Sequence, residues 1–263
     1  MPQRYNATKL LSMKDKKVVD YVVNVILLIL AILPLIYFNQ VESVPIKIFI
    51  LGTGSWGFGN IFKVLAHQII TVRLHNKNKS VLLTSISNGL LSGFFELFAA
   101  YLLILLTINK FEYNYNAIIC FGLAIGSFEI IVAVWKGASL FKGTTLEKSI
   151  GKLEEYLETL HGIKYFFFNM ILPIIERVIA TFIHISTRGL VFITIITGNV
   201  LPFIIALIVF VIADGILGYY YHITGRLATS KGYIQIHLYL FILTVINTAI
   251  FFIWISPYKD IVL

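Results

Sequence analysis

VLLTSISNGLLSGFFELFAAYLLILLTI, residues 81–108, has 28 positions and a single charged side chain, Glu96. A run of that length and apolarity reads as a transmembrane helix, because about 20 helical residues cross the hydrocarbon core of a bilayer. A charge at the bilayer centre costs about 2.5–3.5 kcal/mol on insertion scales, so an intramembrane carboxylate faces a protein interior and marks function by default. Working outward, Glu129, Glu176 and Asp214 lie in comparable apolar stretches, and Lys63, His67, Arg177, His184 and Arg188 lie at comparable depth. The pattern predicts an all-α, polytopic transmembrane bundle with a polar site buried inside it.

The rest of the chain follows the same rule. It is 58% hydrophobic and 13% charged, with a mean hydropathy of +0.87, and its apolar residues come in long blocks. Seven spans are predicted, at 18–38, 46–71, 81–108, 115–136, 166–197, 200–222 and 232–256. The 263 residues form one integral membrane domain, with no segment left for a soluble core. No cleavable leader is read in the polar, basic residues 1–17, so the first span is a retained helix. The single Cys120 supports no intramolecular disulfide.

The net charge of +8 reads as topology. Lys and Arg gather before the first span (Arg4, Lys9, Lys14, Lys16, Lys17) and after the second (Arg73, Lys77, Lys79). They gather again after the fourth (Lys136, Lys142, Lys148, Lys152, Lys164) and after the sixth (Arg226, Lys231). The opposite loops and tail hold Lys47, Lys110 and Lys259. The positive-inside rule then places the N-terminus in the cytoplasm and the C-terminus outside, in the cell membrane by default. Nothing resembles a base-reading motif; the partners implied are anionic lipid headgroups rather than nucleic acid.

One polar connection is long. Across 137–164, Thr144 and Glu147 fit a capping box, and Leu146, Ile150, Leu153, Leu157 and Leu160 recur at helical spacing before Gly162. This predicts an amphipathic cytoplasmic helix between the fourth and fifth spans, lying on the bilayer or bundle, or else closing over a cavity. Gly52, Gly54, Gly57 and Gly59 in the second span read as close helix packing, not as a phosphate loop, since no Gly-Lys-Ser or Gly-Lys-Thr follows. From Tyr165 to Asn199 a straight helix would run roughly 50 Å, against a core of about 30 Å. Pro173 is expected to kink or break it.

The polar residues form stripes. Ser85, Asn88, Ser92 and Glu96 share one face of the third helix; Arg177, Thr181, His184 and Arg188 share one face of the fifth. Gly122, Gly126 and Glu129 line a face of the fourth, and Asp214 precedes Gly215 on the sixth. Depth places Glu96, Glu129, His184 and Asp214 between mid-membrane and the cytoplasmic side. Buried carboxylates can act as general acid or base, and the imidazole adds a second proton carrier. Glu176 and Arg177 read either as site residues or as structural pairs; Lys63 and His67 leave both roles open, as partners of Asp214 or Glu96. Arg188, toward the outer end, is expected to snorkel. No cofactor motif is read, and no metal set: zinc catalysis takes about three protein ligands, and no His-Glu-x-x-His occurs. Leu90 stands where a Gly-x-Ser-Gly motif would need its first Gly, which argues against a serine nucleophile at Ser92.

Gly93-Phe94-Phe95-Glu96, then Gly122 through Glu129, then Glu176-Arg177 with Ala180 and His184, then the Asp214 region occur in the order seen in YhfC-type membrane proteins. The chain resembles that family from its second to its sixth span. The family looks like a branch of the glutamic-type intramembrane proteases that includes PrsW and the CAAX-prenyl endopeptidases. The resemblance implies a water held by Glu and His that attacks a peptide carbonyl within the membrane. It would make Glu96 the general base, with Glu129, His184 and Asp214 completing the catalytic set, and Glu176, Arg177, Asn88 and Ser92 supporting it. The chain departs from the family pattern: the second Glu of the pair is Leu97, the basic residue a turn later is Ala100 or Tyr101, Ile125 stands at a frequent His position, and the last motif's His is Phe210. Three functions follow: an intramembrane peptidase acting on a membrane-embedded peptide or protein; a non-catalytic relative that binds a membrane peptide, lipid or partner helix; or a solute or proton-coupled transporter, for which no inverted repeat is visible.

Overall fold

The structure, a computed structural model, describes residues 13–75, 81–136, 164, 166–223 and 230–258. Seven long helices run through them: α1 (Met13–Gln40), α2 (Ile46–His75), α3 (Val81–Thr107), α4 (Tyr115–Lys136), α5 (Leu172–Thr197), α6 (Leu201–Ile223) and α7 (Ser230–Ile255). Each carries a stretch long and apolar enough to cross a membrane, which makes the chain an integral membrane protein by the length and composition of its helices. The predicted all-α bundle of seven spans is what is found. The amphipathic helix expected at 137–164 falls outside the described residues except for Lys164. Of the basic segment 1–17, only 13–17 is described, as the start of α1.

The over-long fifth span resolves without a gap. A π-helical turn, Phe167–Ile171, runs straight into α5, and Pro173 sits in the first turn of α5. The proline's missing N–H removes one donor from a helix that runs on through it. The Leu172 amide donates to the Phe167 carbonyl five residues back, so the wider turn continues the backbone bonding up to the proline ring. At its other end α5 stops at Gly198, whose left-handed φ of 68° lets its N–H return to the Thr194 carbonyl at 3.0 Å. Asn199 then caps α6 through the Leu201 amide at 2.9 Å.

Local polar side chains fix the other turns. Glu42, between α1 and α2, accepts from Tyr37 at 3.0 Å and from Asn116 of α4 at 2.6 Å. Asn114 caps α4 through the Ala117 amide at 2.8 Å. Beside it the Tyr113 hydroxyl lies 2.7 Å from Thr107; burial holds that phenol above its ordinary range, with the Thr107 bond acting in the opposite sense.

α5 is the axis of the bundle: it packs against α3, α4, α6 and α7, touches α1, and is the most buried span. α1 is the least buried and turns Tyr21, Ile29, Leu33 and Ile36 outward. In lipid such faces cost nothing, and helix association rests on close packing of small residues. Leu97, Phe121, Ile125, Leu190, Ile193 and Phe251 belong to the core around α5.

Candidate functional site

Glycine brings the helices close enough for the polar side chains to meet. A Cβ on Gly59 would lie 2.9 Å from the Glu96 Cα, so α2 and α3 nearly touch there. One turn further along α2, Lys63 reaches Glu96 Oε1 at 2.9 Å and Ser92 Oγ at 2.9 Å. On α4, a Cβ on Gly122 would lie 2.5 Å from the Ile185 Cα, and one on Gly126 would lie 2.9 Å from the Thr181 Cα. The next residue on this face is Glu129, so α4 delivers its carboxylate directly to α5. Gly89 and Gly93 bring α6 against α3 in the same way, beside Asp214.

Glu96 is the centre of the first cluster. Its second oxygen, Oε2, accepts from Arg188 Nη2 at 3.0 Å. Ser92 Oγ lies 3.1 Å from Glu96 Oε1 and also hydrogen-bonds Asp214 Oδ2. Its one hydroxyl proton serves one of these carboxylates at a time. The Glu96 side chain is 4% exposed and that of Arg188 0%. Arg188 does not snorkel as expected. It is enclosed at the bundle axis, where its counter-charge is Glu96 rather than a headgroup, and its guanidinium lies 4.7 Å from the Phe210 ring centre.

The second cluster is a chain of alternating charge along α5. His184 Nε2 meets Glu129 Oε2 at 3.1 Å, and Arg177 Nη1 lies 3.9 Å from Glu129 Oε1. Arg177 also binds Glu176 Oε1, and Glu176 Oε2 lies 3.2 Å from His237 Nε2 on α7. The side chains of Lys63, Glu129 and Glu176 are 31–32% exposed, so both clusters have an edge that opens from the buried core. Polar groups at membrane depth must be met by water or by polar groups of a partner. His184 Nδ1 and Arg188 Nε are buried without a hydrogen-bond partner.

No protein-family model matches this chain, and neither a curated protein nor a solved structure does.

The predicted site residues are therefore located by geometry alone. Glu96, Lys63 and Asp214 meet at Ser92, and Glu129, His184, Arg177 and Glu176 form the adjoining chain. Phe210 stands between the two clusters, its ring centre 5.8 Å from that of His184 and 4.7 Å from the Arg188 guanidinium. Asn88 is half-buried on the same helix face and takes no part in this network. The side chain of His67 lies outside the described residues. Among the described residues, no three His, Cys, Asp or Glu side chains gather as a metal ion would require.

Sequence reasoning passed over His237. A signal exists: Tyr233, His237, Thr244 and Asn247 are buried along one face of an otherwise apolar helix. Asn247 donates to Ser186 Oγ of α5 at 2.5 Å, so the whole stripe faces the bundle axis.

Proposed function

We propose that this chain is a protease-like membrane bundle that binds a membrane-embedded peptide or partner helix without hydrolysing it. The observation that carries this reading is the state of Glu96: both carboxylate oxygens are held by cations, Lys63 at 2.9 Å and Arg188 at 3.0 Å. A general base needs a lone pair directed at the water it activates, and here each oxygen of Glu96 already accepts from a positively charged donor. Leu97, Ile125 and Phe210, where the resembling family carries Glu and His, support the same reading. The half-exposed edge formed by Lys63, Glu129 and Glu176 favours a partner with polar atoms at membrane depth.

The test uses the purified chain in liposomes with transmembrane peptides. A peptide with a central polar residue binds more tightly than an all-leucine peptide and stays intact on prolonged incubation. Equal binding of the two peptides removes the recognition claim. A cleavage product that disappears in Glu96→Gln overturns the non-hydrolytic claim.

One observation favours a second reading. His184 Nε2 is held by the Glu129 carboxylate while Nδ1 has no partner, the arrangement in which a carboxylate orients an imidazole and leaves its other nitrogen free as a base. Product lost in Glu129→Gln but kept in Glu96→Gln would assign hydrolysis to this pair.

A further inference from the structure

His237 Nδ1 lies 2.8 Å from the Tyr233 backbone carbonyl, one turn back on α7. A carbonyl oxygen only accepts, so Nδ1 carries a hydrogen. His237 Nε2 faces Glu176 Oε2 at 3.2 Å. A neutral imidazole with its proton on Nδ1 would set a lone pair against a carboxylate oxygen. A hydrogen bond there requires one more proton, on the imidazole or on the carboxyl. Among the described residues, the groups that face the pair include Arg177 on α5, bound to Glu176 Oε1, and the Tyr233 ring on α7, 4.5 Å from the imidazole. Among the described residues, α6, the other helix packed on α7, sends no hydrogen-bonding or ion-pairing group to Glu176 or His237.

We propose that Glu176 and His237 form a proton-binding site within the membrane-spanning core, coupled to the Glu129–His184 pair through Arg177. The proton enters at the exposed edge of Glu176, whose side chain is 31% exposed. With the proton in place, Glu176 is balanced by His237, and Arg177 is shared with Glu129. Without it, Glu176 draws the guanidinium to itself, and the 3.9 Å contact between Arg177 and Glu129 weakens. Glu129 is then left with His184 as its partner, so the charge at one end of the chain sets the hydrogen bonding at the other. The site is independent of whether the bundle binds or cuts a peptide.

The test is a pH series on the full-length protein in lipid nanodiscs. It combines nitrogen NMR of labelled histidines with infrared detection of protonated carboxyls, assigned with His237→Gln and Glu176→Gln. The expected result is a doubly protonated His237 ring, or a Glu176 carboxyl band that is absent from Glu176→Gln. The His184 resonances move at the same pH as those of His237. A His237 ring that carries one proton throughout, with no such carboxyl band, overturns the site. His184 resonances that stay fixed through the His237 transition overturn the coupling. The protonation states are those of the unmutated chain; where a Gln variant fails to fold, His237→Asn and Glu176→Asp supply the assignment.

Discussion

Arg188 is fully buried and Lys63 is 32% exposed, yet both bind the Glu96 carboxylate. Removing one member of a buried pair leaves the other charge without compensation, at a cost of about 3–5 kcal/mol. Arg188→Met is expected to lower stability by about 3 kcal/mol, since no water reaches the place it vacates. Lys63→Met is expected to lower it by about 1 kcal/mol, because water at the half-open edge takes over one bond to Glu96. Denaturant unfolding in detergent micelles measures both, and equal losses would show that the Lys63 edge is as closed as the axis. The difference was not legible in the sequence. Both residues are cations in apolar spans, and which lies on the axis depends on the rotation of α2 and α5, which the apolar sequence around them leaves open. Ser92, Glu96, Glu129, His184 and Asp214 were legible, because a polar stripe in lipid has only the interior to face. His237 was not, because a lone imidazole among apolar residues carries no sign of the Glu176 it meets.

α4 and α5 meet through glycine, and the Glu129–His184 contact depends on that approach. In Gly122→Ala the added methyl would stand 2.5 Å from the Ile185 Cα, a backbone atom that cannot rotate aside. The helices must separate, with a cost of about 1–3 kcal/mol and loss of the 3.1 Å bond between Glu129 and His184. Gly54→Ala is the control: nothing lies within 4 Å of its Cβ position. There the exchange is expected to be neutral, or to stabilise by up to about 1 kcal/mol through helix propensity. Thermal unfolding of the two variants checks this, with the His184 nitrogen resonances reporting on the contact; an unperturbed His184 in a folded Gly122→Ala would refute the packing argument. Span number and limits were legible at this scale because hydropathy and length nearly determine them. The partners of each helix were not: Gly52 packs on α4 and Gly59 on α3, while Gly54 and Gly57 face open space, although all four sit in one run of sequence.

Among the described residues, the cations Lys63, Arg177 and Arg188 face the carboxylates Glu96, Glu129 and Glu176, and Asp214 is tied to the same network through Ser92. Pairing of opposite charges offsets part of their insertion penalty and leaves the connecting segments to set orientation. In the sequence, the basic residues gather in the segments before α1, between α2 and α3, between α4 and α5, and between α6 and α7. With seven crossings, the positive-inside rule predicts chain ends on opposite faces of the membrane and a cytoplasmic N-terminus. Single-cysteine labelling with a membrane-impermeant maleimide tests this, since native Cys120 is buried. Lys259→Cys is expected to label in intact cells, and Lys77→Cys only after permeabilisation. The reverse pattern would invert the protein and place the Lys63–Glu129–Glu176 edge on the outer side. Equal labelling of both sites in intact cells would mean that one of the five helices between them, α3 to α7, does not cross.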